Sequence, residues 1–303
     1  MKKFFIYLLV FGLLFFVFDK IFLFFINISP SKEVDKRLEL VLTGKINKDV
    51  IILGSSKSSR DIIASQLEKE IHHSVYNLSY PGSNIEFHEF LLRALTTFNK
   101  SPKMVILTVD NPIEFLPDSL INFRLDRLYP LVKYDYVSEE LVDRNEKNAL
   151  LSKLFVLHRM TKANFDIRQK KFTALDSLLY DGSMPISFQK TNEDWNKTVN
   201  NVSYPIKNET KVKQDCFYKI IAICKQKNIK LFLISPPMYK GVNPEFKKRM
   251  IELTGTNANF YEYNTTNPTY KDKRYYFDLN HLNKNGAFIF TTEIATYLKS
   301  FNK

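Results

Sequence analysis

The chain has 303 residues, 45% of them apolar, enough for one large domain or two small ones with a sizeable core. Its net charge of +12 favours acidic partners, but no Lys/Arg-rich run and no zinc-finger or RNA-binding signature occurs, so nucleic acid is not an expected partner, and a Lys- and Asn-rich composition accounts for the charge by itself. Cys216 and Cys224 fall about 12 Å apart along one predicted helix, too far for a disulfide; they are expected as free buried thiols, and no Cys/His metal spacing is present, so neither a metal nor another cofactor is expected.

The N-terminus, MKKFFIYLLVFGLLFFVFDKIFLFFINISP, places two lysines before an apolar run, which Asp19-Lys20 interrupts before it continues to Ile28. A bilayer span needs roughly 20 apolar residues, and residues 4–28 supply them. The Asp-Lys pair is costly near the bilayer centre, so it is expected at the outer interface, with Lys20 snorkelling. No small-x-small cleavage site follows, which favours a retained anchor over residues 1–30 rather than a removed signal peptide. Lys2 and Lys3 predict a cytoplasmic N-terminus, with the remainder of the chain extracytoplasmic at the cell membrane.

Beyond the anchor, SKEVDKRLELVLTG predicts a helix capped by Ser31 and ended by Gly44. DVIILG has the near-continuous apolar character of a strand buried on both faces. SSRDIIASQLEKEI predicts one helix, SVYNL a second strand, SNIEFHEFLLRALTTF a helix from Ser83 or Asn84, and KMVILTV a third strand. Later come a helix over ETKVKQDCFYKIIAICKQKN, a strand over IKLFLISP, a helix over NPEFKKRMIELTG, a weak strand over ANFYEY and a closing helix over NKNGAFIFTTEIATYLKSF. This alternation predicts an α/β domain over 31–303, a parallel sheet covered by helices on both faces. The stretch at about 113–207 breaks the rhythm and is expected as a mainly helical insertion between the third and fourth strands.

Functional groups gather at the carboxyl ends of strands in such sheets. Four strand ends carry them: Gly54-Ser55-Ser56; Asn77 to Gly82; Asp110-Asn111; and Asp278 with His281 just before the last helix. Asp and His three residues apart can form the base half of a nucleophilic triad. Ser56, at a strand-to-helix junction, is the matching nucleophile, with free backbone N–H groups beside it for an oxyanion. The competing reading of the serine cluster is a helix cap. His72 and His73 are expected to be solvated, and His88 and His158 to be packing or surface groups.

Together these blocks resemble the SGNH (GDSL-type) hydrolases, a superfamily of esterases and acyltransferases with a flavodoxin-like three-layer α/β/α fold. The resemblance covers roughly residues 48–300, with the insertion unmatched. The family's Gly-Asp-Ser appears here as Gly54-Ser55-Ser56, a form similar to that of membrane-anchored members in cell-wall D-alanylation and alginate O-acetylation. Asn77 and Gly82 keep the spacing of the second block, and Asp278, His281, Leu282, Asn283 and Gly286 match the last one fully. The third block departs: where the family has Gly-x-Asn-Asp, this chain has Thr108-Val109-Asp110-Asn111. The resemblance implies Ser56, His281 and Asp278 as the catalytic residues. It implies an oxyanion hole from Ser56, Gly82 and, from a shifted position, Asn111, because an ionised Asp110 cannot donate. It implies an acylated surface polysaccharide or cell-wall polymer as substrate and admits a membrane acyl-transfer partner. A non-catalytic accessory or glycan-binding protein on the same fold, and a lipid esterase, stand as alternatives.

Overall fold

The computed structural model describes residues 1–29, 33–109, 111–117, 119–165, 173, 175, 177–196 and 203–301. In chain order its helices are α1 (Lys2–Ile28), α2 (Arg37–Leu42), α3 (Ser56–Asp61), α4 (Ala64–Ile71), α5 (Ile85–Phe98), α6 (Leu125–Leu128), α7 (Asp135–Asp143), α8 (Ala149–Leu154), α9 (Val156–Arg159), α10 (Lys162–Phe165), α11 (Lys211–Gln226), α12 (Pro244–Thr254) and α13 (Lys284–Lys299). The strands are β1 (Val50–Leu53), β2 (Val75–Asn77), β3 (Met104–Thr108), β4 (Lys230–Ser235) and β5 (Asn259–Glu262).

Two units divide the chain: Met1–Leu42 with Arg124–Lys170, and Thr43–Phe123 with Lys171–Lys303. The stretch expected as one insertion therefore contributes to both units. Ser31, the expected cap of the helix after the anchor, lies outside the described residues, and that helix begins only at Arg37. The buried Glu33 carboxylate caps it instead, accepting from Leu38 N–H at 3.0 Å and Glu39 N–H at 2.7 Å. Burial, with the Asp35 charge beside it, pushes the Glu33 carboxyl up to about 7. Asp35 itself is held below the usual carboxylate range: burial opposes its ionisation, but Arg37 and Arg127 at 3.1 and 3.2 Å outweigh that. In this unit α1 is long and apolar enough to cross a membrane, and most of its side chains are exposed.

The second unit is α/β. Its sheet is wholly parallel in the order β2-β1-β3-β4-β5, which is the flavodoxin-like order. The continuous apolar runs of β1 and β3 are buried along their whole length, as a parallel sheet covered on both faces requires. Alternation sends Val50, Ile52, Ile106, Phe232 and Ile234 into one core with α4 and α13. Ile51, Leu53, Val105 and Leu107 point to the opposite face, where α5 packs against α11. Asparagines start three of the covering helices. Asn84, Asn243 and Asn283 accept from the N–H groups of Phe87, Phe246 and Gly286 at 3.2, 3.0 and 3.2 Å. Cys216 and Cys224 are free and buried on α11, and burial pushes the Cys224 thiol up to about 12.

The helix expected over SSRDIIASQLEKEI is two. Ile62 and Ile63 are extended, and the backbone groups around the break find partners elsewhere in the unit. Asn77 Nδ2 donates to the carbonyls of Ser58 and Ile62 at 2.8 and 3.0 Å. Thr291 Oγ1, Ser183 Oγ and Asp181 Oδ2 accept from the N–H groups of Ile63, Ala64 and Ser65 at 3.0, 2.8 and 2.6 Å.

Candidate active site

The carboxyl end of β1 meets that of β3 where the strand order reverses, the position at which open parallel sheets form their crevice. Gly54 ends β1 with φ +150°, and a Cβ there would overlap Ser58 Oγ and Thr108 Oγ1. Those two hydroxyls are hydrogen bonded to each other, and Ser58 Oγ also donates to the Leu53 carbonyl at 3.2 Å. Ser58 thus ties the ends of β1 and β3 together. Ser59 Oγ donates to the Ser56 carbonyl at 2.9 Å, and Ser55, at the N-cap of α3, makes no side-chain cap bond. Each of these three serines has a structural setting apart from that of the fourth.

Ser56, the first residue of α3, places Oγ 2.8 Å from His281 Nε2. The other ring nitrogen, Nδ1, lies 2.9 Å from Asp278 Oδ1, so it carries the proton and Nε2 is the acceptor toward the Ser56 hydroxyl. Asp278 Oδ1 also accepts from the N–H groups of Asn280 and His281, each at 2.9 Å. The loop bearing this pair is closed by a bridge between Tyr276 and Leu282. Leu282 N–H donates to Asp61 Oδ1 at 3.0 Å, which fastens the loop to the end of α3. Asn283 caps the helix that follows.

Burial is the largest influence on His281 and lowers its pKa; Asp278 opposes this, while the charges of Arg60 and Lys57 add to it, and the net shift is downward. The Asp278 carboxyl is held below the usual range: burial works against ionisation, but the His281 partner and the two amides outweigh it.

Gly82 occupies the third position of a turn whose Ser83 N–H donates to the Tyr80 carbonyl at 3.1 Å. With φ +75° after Pro81, it has the type II geometry that favours glycine there. Tyr80 N–H and Ser83 Oγ both donate to the Gly54 carbonyl, at 3.0 and 3.2 Å, so this turn is bound directly to the end of β1. Among the described residues, neither Ser56 N–H nor Gly82 N–H has a hydrogen-bond acceptor. Asn111 uses its side-chain carbonyl to cap its own 3-10 turn at Ile113 N–H (3.1 Å), leaving the amide NH2 as its donor group. Asp110 lies outside the described residues.

Beneath these residues lies a second layer, in which His88, expected as a packing or surface group, is a packing group. His88 is fully buried, with Nε2 2.9 Å from Ser83 Oγ, and burial drives its pKa down to about 3, so the ring is neutral. Asn77, noted for its spacing, is the residue that bridges the break between α3 and α4. Asn77 leaves no local signal because its partners lie 19 and 15 residues away, whereas His88, five residues from Ser83, has its state set by burial. His72 is exposed at the C-cap of α4. Among the described residues no three His, Cys, Asp or Glu side chains form a metal-binding group. A cavity of about 400 Å³ in the first unit, beside Asp135 and Arg159, contains none of these residues.

No family profile matches the sequence. No curated protein matches it either. Among solved structures, the chain is similar to one described as a "putative acylhydrolase" from Bacteroides fragilis NCTC 9343, with 10% identity and a TM-score of 0.44, over 91% of this chain and 100% of the other. At that distance the likeness carries no argument about this chain, and the case for its chemistry rests on the site's own geometry.

Proposed function

We propose that the chain is a membrane-anchored serine ester hydrolase or O-acyltransferase of the SGNH type. The observation that carries the reading is the continuous Ser56–His281–Asp278 relay, with hydrogen-bond distances of 2.8 and 2.9 Å. In this mechanism Ser56 Oγ attacks the acyl carbonyl carbon while its proton passes to His281 Nε2. Asp278 keeps the Nδ1–H tautomer and stabilises the imidazolium. The N–H groups of Ser56 and Gly82 receive the tetrahedral oxyanion, with the Asn111 amide as third donor. His281 then hands its proton to the leaving alkoxide, and the acyl group remains on Ser56. Water or a sugar hydroxyl, deprotonated by His281, attacks this ester and restores the free enzyme, giving hydrolysis or transfer respectively.

The substrate we infer is an acyl ester of a surface polysaccharide or cell-wall polymer, reached by a site held at the outer face of the cell membrane. α1 and the two lysines before its apolar run support that location. The test is hydrolysis of a simple acetyl ester by the full chain. Ser56→Ala and His281→Ala are each expected to lower kcat by at least about 10³-fold with the fold retained by circular dichroism. Full activity in either variant removes the mechanism; failure of the unmodified chain both to hydrolyse the ester and to react with a fluorophosphonate leaves a non-catalytic accessory or glycan-binding role.

A further inference from the structure

Asp19 is the one buried residue of α1. Its carboxylate oxygens accept from the N–H groups of Val156 and Leu157, at 3.0 and 2.9 Å, in the first turn of α9. Lys20 Nζ pairs with Asp19 at 3.2 Å and donates to the Leu154 carbonyl, at the end of α8, at 2.7 Å. Phe155, between the two short helices, lies against Phe15 and Phe16 with ring centroids 5.4 and 6.2 Å apart. Phe165 of α10 stacks on Phe22 at 6.4 Å. These contacts fasten α8, α9 and α10 along residues 15–22 of α1.

The helices so fastened show an apolar face to the outside. Leu150, Leu151 and Leu154 form an i, i+1, i+4 stripe on α8 and are 65%, 41% and 41% exposed; Leu157 on α9 is 37% exposed. Single exposed leucines need no explanation, but a cluster of four beside an apolar helix does. Counting 1.5 Å per residue from Lys3, the Asp19 region lies ~24 Å into a hydrocarbon core of ~30 Å. That is within ~10 Å of the far polar boundary, the depth at which interfacial amphipathic helices sit.

We propose that α8 and α9 are an interfacial membrane element, their leucine face seated among the acyl chains of the leaflet farther from the N-terminus. The proposal rests on α1 spanning the bilayer. Continuity selects lipid as the occupant: the leucines adjoin the exposed apolar surface of α1, so the medium that covers one reaches the other. The exposed Lys153 of α8, and Lys162 at the start of the adjoining α10, suit phosphate headgroups at the rim. The proposal also gives the Asp19-Lys20 pair a place in the membrane. Helix-end amides and carbonyls cannot be left bare in lipid, and here the carboxylate and ammonium satisfy them.

Both native cysteines are buried, so single cysteines placed at Leu151, Leu157, Phe11 and Tyr180 can carry an environment-sensitive fluorophore. The full chain is reconstituted in phosphatidylethanolamine–phosphatidylglycerol vesicles containing lipids with nitroxides high or low on the acyl chain. Leu151→Cys and Leu157→Cys are expected to be quenched about twofold or more by the shallow nitroxide. Phe11→Cys reports the span of α1 and is expected to respond to the deep nitroxide, and Tyr180→Cys is the unquenched aqueous reference. Quenching at Phe11 with none at the leucines overturns the proposal and leaves α1 as a bare span. No quenching at Phe11 overturns the spanning reading, and the proposal with it. Leucines unquenched in these vesicles but shielded from labelling in native membranes overturn it in favour of a protein partner.

Discussion

His281 is the residue on which opposing influences meet. Burial disfavours its charged form, Asp278 favours it, and Arg60 and Lys57 disfavour it again, with a net pKa below the ordinary 6.5. A general base must be unprotonated to accept the serine proton, so a lowered pKa keeps it competent into mildly acidic solution. The acid limb of kcat/KM is therefore expected below pH 6.5, with activity lost only as pH falls through that lower value. Asp278→Asn removes the one influence that raises it and also the tautomer restraint. It should shift the limb further down and lower kcat about 10³- to 10⁴-fold. A wild-type limb at or above pH 6.5 in the pH–rate profile contradicts this account. At this scale the sequence was informative where a residue type and its strand-end position coincide, as for Ser56, Asp278 and His281. It was silent where chemistry depends on a distant partner. Ser58, bound to Thr108 50 residues on, carries no local mark of that role, and the neutral state of His88 comes from burial rather than from its neighbour Ser83.

Elements were legible to the extent that their ends are local. Asn84, Asn243 and Asn283 cap helices whose starts follow directly from an asparagine before an apolar period. The break after Asp61 is different. Residues 56–71 have continuous helical spacing, yet Asn77, Thr291, Ser183 and Asp181 satisfy an interrupted backbone better than one helix could. The break matters to the site, because it frees Asp61 at the end of a short α3 to hold the His281 loop. Asn77→Ala leaves the buried carbonyls of Ser58 and Ile62 without their donor and is expected to cost ~2–5 kcal/mol. Asn77→Asp, an acceptor facing two acceptors, should cost more. Urea denaturation measures both; a shift under ~0.5 kcal/mol for either means the bridge does not hold the break. Helix α2 makes the same point in miniature: its cap, Glu33, reaches it from four residues before its first turn.

For the whole molecule, alternating apolar runs sufficed to read a parallel sheet with helices on both faces, and the strand order β2-β1-β3-β4-β5 matches the flavodoxin-like architecture that the resemblance implied. The division into units was not legible, because it depends on contacts such as Asp19 with Val156, made 137 residues apart. The pairing of Ser56 with His281 across 225 residues was expected from their strand-end positions and the resemblance, and the fold brings the two side chains to 2.8 Å. That pairing is the central claim, and covalent capture tests it most directly. The full chain is treated with a fluorophosphonate and the adduct located by peptide mass spectrometry. The account predicts a single adduct on Ser56 that is absent in Ser56→Ala and strongly slowed in His281→Ala, with Ser55, Ser58 and Ser59 unmodified. An adduct on another serine, or unchanged labelling of Ser56 without His281, would contradict it.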